Sequence, residues 1–402
     1  MQTGSFQWMK SLNKSTILNM VRLHGPISRA EIAKMTKLTP PTVTNIVAEL
    51  LESQLIVESD LGVSTGGRKP IMLRINSSRF YVVGVYARAK KINAAIANLD
   101  GKIIHQLGSK VPPFPTMEEF LQTLKSLVGD CLKLAEADNQ PVLGIGVGMH
   151  GLVDPQKGES VYAPHLKLRQ IPIKEFLEQE FKISVEVEND VRAIALGESW
   201  FGQGRNLSNF ICVNVGTGVG AGIMIDHQLY HGTSYSAGEI GHTTIDANGP
   251  LCSCGNIGCL EAFASGSGLV LRARQAIHSG KETTLSEMVH GDLEQLTGEI
   301  IYQAARKGDP LAIELLKETG RYLGIGLANL INTLNPSRII LHGGVSRAGS
   351  FITEPLKEVV NARSLEVPAR QVSIVSSNLG KQATVIGAFT LVLKKLFTPA
   401  PS

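Results

Sequence analysis

The stretch GEIGHTTIDANGPLCSCGNIGCLE, Gly238–Glu261, decides how this chain is read. It places His242 ten residues ahead of a Cys252-x-Cys254-x4-Cys259 run. Thiolates and imidazole are the preferred ligands of tetrahedral zinc, and Gly255 and Gly258 let a short loop wrap one ion. Three cysteines and one histidine leave no open coordination position, so the expected site is structural rather than hydrolytic. The other reading of these residues is three reduced cysteines in a tight loop. Glu239 and Glu261 flank the set. Carboxylates are strong acceptors for the hydroxyl protons of a sugar, and a metal nearby would fix the loop that carries them. Taken alone, two glutamates also fit solvated surface charge.

Outward from this stretch, strands alternate with helices. YVVGVYA, INAAIANL and GKIIHQL read as three consecutive strands, followed by a helix over about 117–137. VLGIGVG is a buried strand, and VEVEN is a strand that runs into a helix from about Asp190. FICVNV and GAGIMI are strands flanking Gly216-Thr217-Gly218. Helices dominate about 265–335, RIILHGG is a strand, and a final helix covers about 382–396. The two strand–turn–strand beginnings, near 81–98 and 210–225, point to a two-lobed α/β body with a cleft between the lobes. Asn189-Asp190, where a strand meets a helix, reads either as a helix cap or as an acceptor or general base at that cleft.

The N-terminal segment has a different character. Ile17, Met20, Val21 and His24 follow helical spacing, so a helix covers about 12–24 and Gly25-Pro26 ends it. Ser28 and Glu31 form a capping box for a second helix. Thr39 caps a third, with Pro40 at the first helical position. Val43, Ile46, Val47, Leu50 and Leu51 make that helix's buried stripe, with Thr42, Thr44, Asn45 and Glu49 on the other face. Two short helices, a tight turn and a small polar face make a helix-turn-helix. LIVES and PIMLRI then read as the two strands of a wing around Gly66-Gly67-Arg68-Lys69-Pro70, whose glycines permit close approach to a groove and whose arginine fits an A·T-rich minor groove. Residues 1–80 hold ten Lys/Arg against five Asp/Glu, while the rest hold 29 against 30. A basic module on a neutral body points to a polyanion-binding head.

The chain has 402 residues, enough for two or three domains; 43% are hydrophobic and 18% charged, which supports packed cores and excludes a disordered chain. An odd count of five cysteines argues against a disulfide framework. No apolar run reaches the roughly 18 residues of a membrane span, and MQTGSFQWMKSLNK lacks a signal-peptide pattern. The expected location is the cytoplasm, without membrane attachment.

The ordered set of motifs resembles a known family. It comprises the helix-turn-helix with its GGRKP wing, GMHGLVD at 148–154, END at 188–190, VGTGVGAG at 215–222, GEIGH at 238–242 and CSCGNIGCLE at 252–261. It is similar to the ROK family of repressors and sugar kinases, in its repressor branch, and most like the xylose repressors of Gram-positive bacteria. The resemblance implies a winged helix-turn-helix followed by a two-lobed actin-like (ribonuclease H-like, sugar-kinase) body. It implies zinc on His242, Cys252, Cys254 and Cys259, and sugar contacts from Gly151, Asn189, Asp190, Glu239, His242 and Glu261. The loop holding Gly151 usually has proline where this chain has His150.

One departure separates regulator from enzyme. ROK kinases open their body with a D-x-G-x-T-like phosphate loop, whereas this chain has Gly84-Val85-Tyr86-Ala87-Arg88. Tyr86 stands at the acidic position and Arg88 at the close-approach glycine, so the magnesium-linked acid is missing and a bulky side chain fills the phosphate's place. The expectation is therefore a non-enzymatic, sugar-responsive repressor of carbohydrate-utilisation genes. It would bind a pseudo-palindromic DNA operator as a homodimer or tetramer, through Thr42, Thr44, Asn45, Arg68 and Lys69. Expected bounds are 1–79 for the head, 80–200 for the first lobe completed by 381–397, and 201–380 for the second lobe with its zinc loop. Two alternatives stay open: a sugar kinase carrying a DNA-binding head, and a regulator governed by a protein partner.

Overall fold

The computed structural model describes residues 6–61 and 69–398. In the head, helices Phe6–His24, Arg29–Thr36 and Pro40–Glu52 accompany a three-stranded sheet with Ile71–Ile75 between Ile27–Ser28 and Ile56–Leu61. The first helix starts well before the expected position near Leu12. The capping box forms: the Ser28 amide donates to Glu31 Oε2 at 2.9 Å, and the Glu31 amide donates to Ser28 Oγ at 3.3 Å. Two helix-start amides are thereby satisfied. Thr39 Oγ1 accepts from the Thr42 amide at 3.4 Å, with Pro40 opening the helix behind it. Val43, Ile46, Val47 and Leu50 are buried, but Leu51, in the last turn, is only half-buried.

Two compact units are formed, one by residues up to Asp190 together with those from Thr384, the other by Val191–Ala383. The change of unit thus falls at the Asp190–Val191 junction, ahead of the 200/201 boundary drawn from the sequence. The first unit's large sheet has the order Val185–Asn189, Val142–Met149, Tyr81–Ala87, Lys91–Asn98, Ile103–Lys110. The second unit's sheet runs Ser373–Ser376, Arg338–His342, Phe210–Val215, Val219–Ile225, Gln228–Leu229. In both, the first strand in sequence is central, the second pairs with it antiparallel, and the fourth pairs with it parallel. The two halves therefore share one topology.

Glycines let helices close onto both sheets. Gly84 and Gly146 are register partners on neighbouring strands. A Cβ on Gly84 would sit 2.3 Å from the Val385 carbonyl oxygen, and one on Gly146 would sit 1.8 Å from that of Ala388. The C-terminal helix Ala383–Phe397 thus lies directly on the first sheet. In the second unit, Gly222 receives the helix that starts at Asp190; a Cβ there would come within 2.6 Å of Ala195 Cβ. The second core is completed by Pro310–Leu334 and Ser350–Arg363, whose Leu323, Leu327, Ile352 and Leu356 join Ile339 and Leu341 of the sheet. A small antiparallel sheet of Leu152–Asp154, Glu159–Ala163 and Leu168–Ile171 branches from the first unit.

Candidate functional site

The second unit brings together four residues that could hold a metal ion. Ligand atoms of His242, Cys252, Cys254 and Cys259 all lie within 4.8 Å of one another. Cys254 Sγ is 3.7 Å from Cys259 Sγ, and Cys252 Sγ is 3.7 Å from His242 Nδ1. Bonds of about 2.3 Å to sulfur put tetrahedral corners about 3.8 Å apart, so these separations suit one ion. The loop is built for it. The Gly255 amide donates to the Cys252 carbonyl at 2.9 Å, and the Cys252 amide to the Asn256 carbonyl at 2.8 Å. Gly258 has φ +72°, and a Cβ there would lie 1.6 Å from the Asp246 carbonyl oxygen, so the glycine is obligatory. The backbone amide of Asn256 brings the Cys254 thiol down to about 7, whereas burial pushes Cys259 up to about 11. Metal coordination requires both as thiolates.

Both expected carboxylates lie beside this loop's supports. Gly238 and Gly241 let the Glu239 turn press on the strand Val219–Ile225, each leaving less than a methyl group's room against the carbonyls of Ala221 and Val219. Glu239 keeps contact with solvent, yet the protein crowded around it raises its pKa. His242 and Arg192 oppose that rise and Glu261 adds to it. Glu261 Oε2 accepts from the Val219 amide at 3.0 Å and Oε1 accepts from Ser253 Oγ at 3.4 Å. Gly218 leaves the space this carboxylate needs, since a Cβ would sit 2.6 Å from Oε2. Glu261 therefore ties the Gly216-Thr217-Gly218 turn to the metal loop, a link that spacing did not reveal.

The first unit gathers its residues at the C-terminal ends of three adjacent parallel strands. Ala87, Met149 and Asn189 are in register there, and such edges are where open α/β sheets hold ligands. Asn189 Nδ2 donates to the Gly151 carbonyl at 2.9 Å, and Gly151 has φ +86°. The Tyr86 hydroxyl donates to Asp190 Oδ2 at 3.2 Å. Burial and the Asp190 charge raise the Tyr86 pKa strongly, so the phenol stays protonated. The Arg88 guanidinium lies 5.4 Å from the centre of the Tyr86 ring. Tyr86 thus holds Asp190, a contact between residues far apart in sequence. His150 is buried in the same loop, a position to which the sequence had assigned no role.

In the head, Thr44 and Asn45 are exposed and Thr42 is half-buried. Thr44 Oγ1 donates to the Pro40 carbonyl at 2.9 Å, which leaves the oxygen free to accept, and Thr42 Oγ1 lies 2.8 Å from Thr39 Oγ1. A hollow of about 470 Å³ beside them is lined by Arg29, Lys34, Leu38 and Thr44 among others. Lys69 is exposed; Arg68 lies outside the described residues.

A winged head of this kind, joined to two sheets of one order with a cysteine–histidine loop able to hold a metal in the second, defines a DNA-binding module on a sugar-kinase-type, actin-fold body. Family comparison agrees in both parts. The ROK family model matches residues 82–395, and the model of a winged helix-turn-helix DNA-binding domain matches 12–57. The chain belongs to the ROK family. It is 33% identical over 395 residues to the xylose repressor of Caldicellulosiruptor bescii, covering 98% of each chain. A crystal structure of a ROK family transcriptional regulator, homolog of the Escherichia coli MLC protein, superposes with TM-score 0.88 at 28% identity, covering 97% of each chain. A ROK glucokinase from Streptomyces griseus, solved with glucose and AMPPNP, superposes with TM-score 0.68 at 33% identity. It covers 77% of this chain but 98% of its own. The transcriptional regulator, unlike the kinase, matches the chain almost end to end.

Proposed function

We propose that this protein is a sugar-responsive transcriptional repressor of carbohydrate-utilisation genes, without kinase activity. The observation that carries the reading is Tyr86 donating to Asp190 where a kinase would need an acidic magnesium partner. Arg88 beside it fills the place a phosphate would take. Asp190 then acts as an acceptor for a sugar hydroxyl rather than as a base. The family resemblance also assigns sugar contacts to Gly151 and Asn189 of the first unit and to Glu239, His242 and Glu261 of the second. His242 can serve two partners because its rings' nitrogens are distinct: Nδ1 faces Cys252, which leaves Nε2 for the effector.

Zinc suits the donor set of three thiolates and one imidazole, and when bound it supplies a fixed, closed tetrahedral anchor for this loop. In the head, Thr42, Thr44 and Asn45 face the operator's major groove, and Arg68 and Lys69 its minor groove. Two heads of a homodimer meet successive half-sites of a pseudo-palindromic operator, in a protein that acts in the cytoplasm. The sugar acts by binding the two DNA-affinity states unequally, since equal affinity shifts nothing. An electrophoretic-shift assay on the duplex upstream of the protein's own gene tests this, with xylose or glucose added. A sugar-dependent change in the bound fraction is expected; no complex at any salt concentration contradicts the reading.

A further inference from the structure

The loop that carries Gly151 also holds an imidazole whose second nitrogen has no partner. His150 is 8% exposed. Its Nδ1 lies 3.3 Å from the Ala87 carbonyl oxygen. A carbonyl only accepts, so Nδ1 carries the proton and Nε2 presents a lone pair. Nε2 is buried without a hydrogen bond. An orphaned buried acceptor is unfavourable, and a partner supplied later recovers that cost. His150 stands between Met149, at the edge of its strand, and Gly151, whose carbonyl Asn189 holds. The exposed ring of His165, on the turn between Glu159–Ala163 and Leu168–Ile171, stacks on it at 5.5 Å between centroids.

Building on the sugar-responsive reading, we infer that His150 is a specificity-determining effector contact: Nε2 accepts a hydroxyl proton from an uncharged polyol. Burial, with the Arg88 and His165 charges nearby, lowers the imidazole pKa to about 4, which keeps this lone pair available at neutral pH. A lone pair suits a hydroxyl donor and repels a phosphate or carboxylate oxygen. The group assigned to Nε2 is therefore a sugar hydroxyl and not a phosphate oxygen.

Calorimetry on the full-length protein tests this with xylose, glucose, N-acetylglucosamine, their monodeoxy derivatives and glucose 6-phosphate. His150→Asn keeps a donor near the Nδ1 position and removes the Nε2 acceptor. Its affinity for the free sugar should fall about tenfold or more, with one monodeoxy sugar weaker for the wild type alone. The imidazole ¹⁵N spectrum of the wild type should show the Nε2 resonance moving on sugar addition. Wild-type affinity in His150→Asn, with sugar still bound, overturns this inference and leaves the sugar-responsive reading standing. Binding of glucose 6-phosphate but of no free sugar overturns it likewise. No heat with any sugar or phosphate overturns both.

Discussion

The two large sheets share one strand order, yet the turns joining their first two strands are chemically opposite. In the second unit the turn is Gly216-Thr217-Gly218; Gly218 leaves space that Glu261 fills, and the Gly216 carbonyl accepts from the Gly266 amide at 2.7 Å. In the first unit the turn begins with Arg88, whose guanidinium lies over Tyr86 while Tyr86 engages Asp190. Topology is thus set by strand patterning and by glycines that admit helices, and it survives a change of turn chemistry. The turn decides what the edge can bind: an open glycine turn accommodates a carboxylate, and a filled one holds an aspartate in place.

If glycines set the shared topology, the largest effect comes from removing one. Gly146→Ala forces a Cβ into the Ala388 carbonyl and should destabilise the first unit by about 3 kcal/mol, read by urea denaturation. An unchanged midpoint would separate the C-terminal helix from the sheet's stability. Cys254→Ser comes next and acts on the second unit's loop. Metal content, measured by mass spectrometry, should fall from one ion per chain toward none, and the sugar response should weaken with it; full metal content would remove Cys254 from the site. Tyr86→Phe acts on the first unit's turn. Losing one hydrogen bond to Asp190 should change sugar affinity by about fivefold, or about 1 kcal/mol, without creating ADP release. Kinase turnover in that variant would mean the filled turn is not what blocks phosphoryl transfer. Smallest is Arg68→Ala: operator affinity should fall and the salt slope should drop by about one, with sugar binding untouched.

The sequence made local features readable. Ser28 and Glu31, or Thr39 and Pro40, announce helix starts within four residues, and the cap hydrogen bonds form. His242 and the three cysteines were readable because few residue sets combine those donors at that spacing. Features that depend on distant partners were hidden. The donation from Tyr86 to Asp190 was hidden, because the pairing arises only when three parallel strands end in register. Glu261 reaches Val219 across a gap no spacing rule covers. The small sheet at Leu152–Ile171 was missed because its strands are short and mix polar with apolar residues. Pro355 inside Ser350–Arg363 masked that helix from a propensity reading.

The central claim is that the body reports a free sugar to the DNA-binding head without a nucleotide. Fluorescence anisotropy of a labelled duplex from upstream of the protein's own gene tests it most directly, with the full chain titrated in the absence of ATP. Sugar alone should change the DNA dissociation constant by about tenfold or more. An unchanged constant until ATP and magnesium are added, with ADP released in step, would contradict the account.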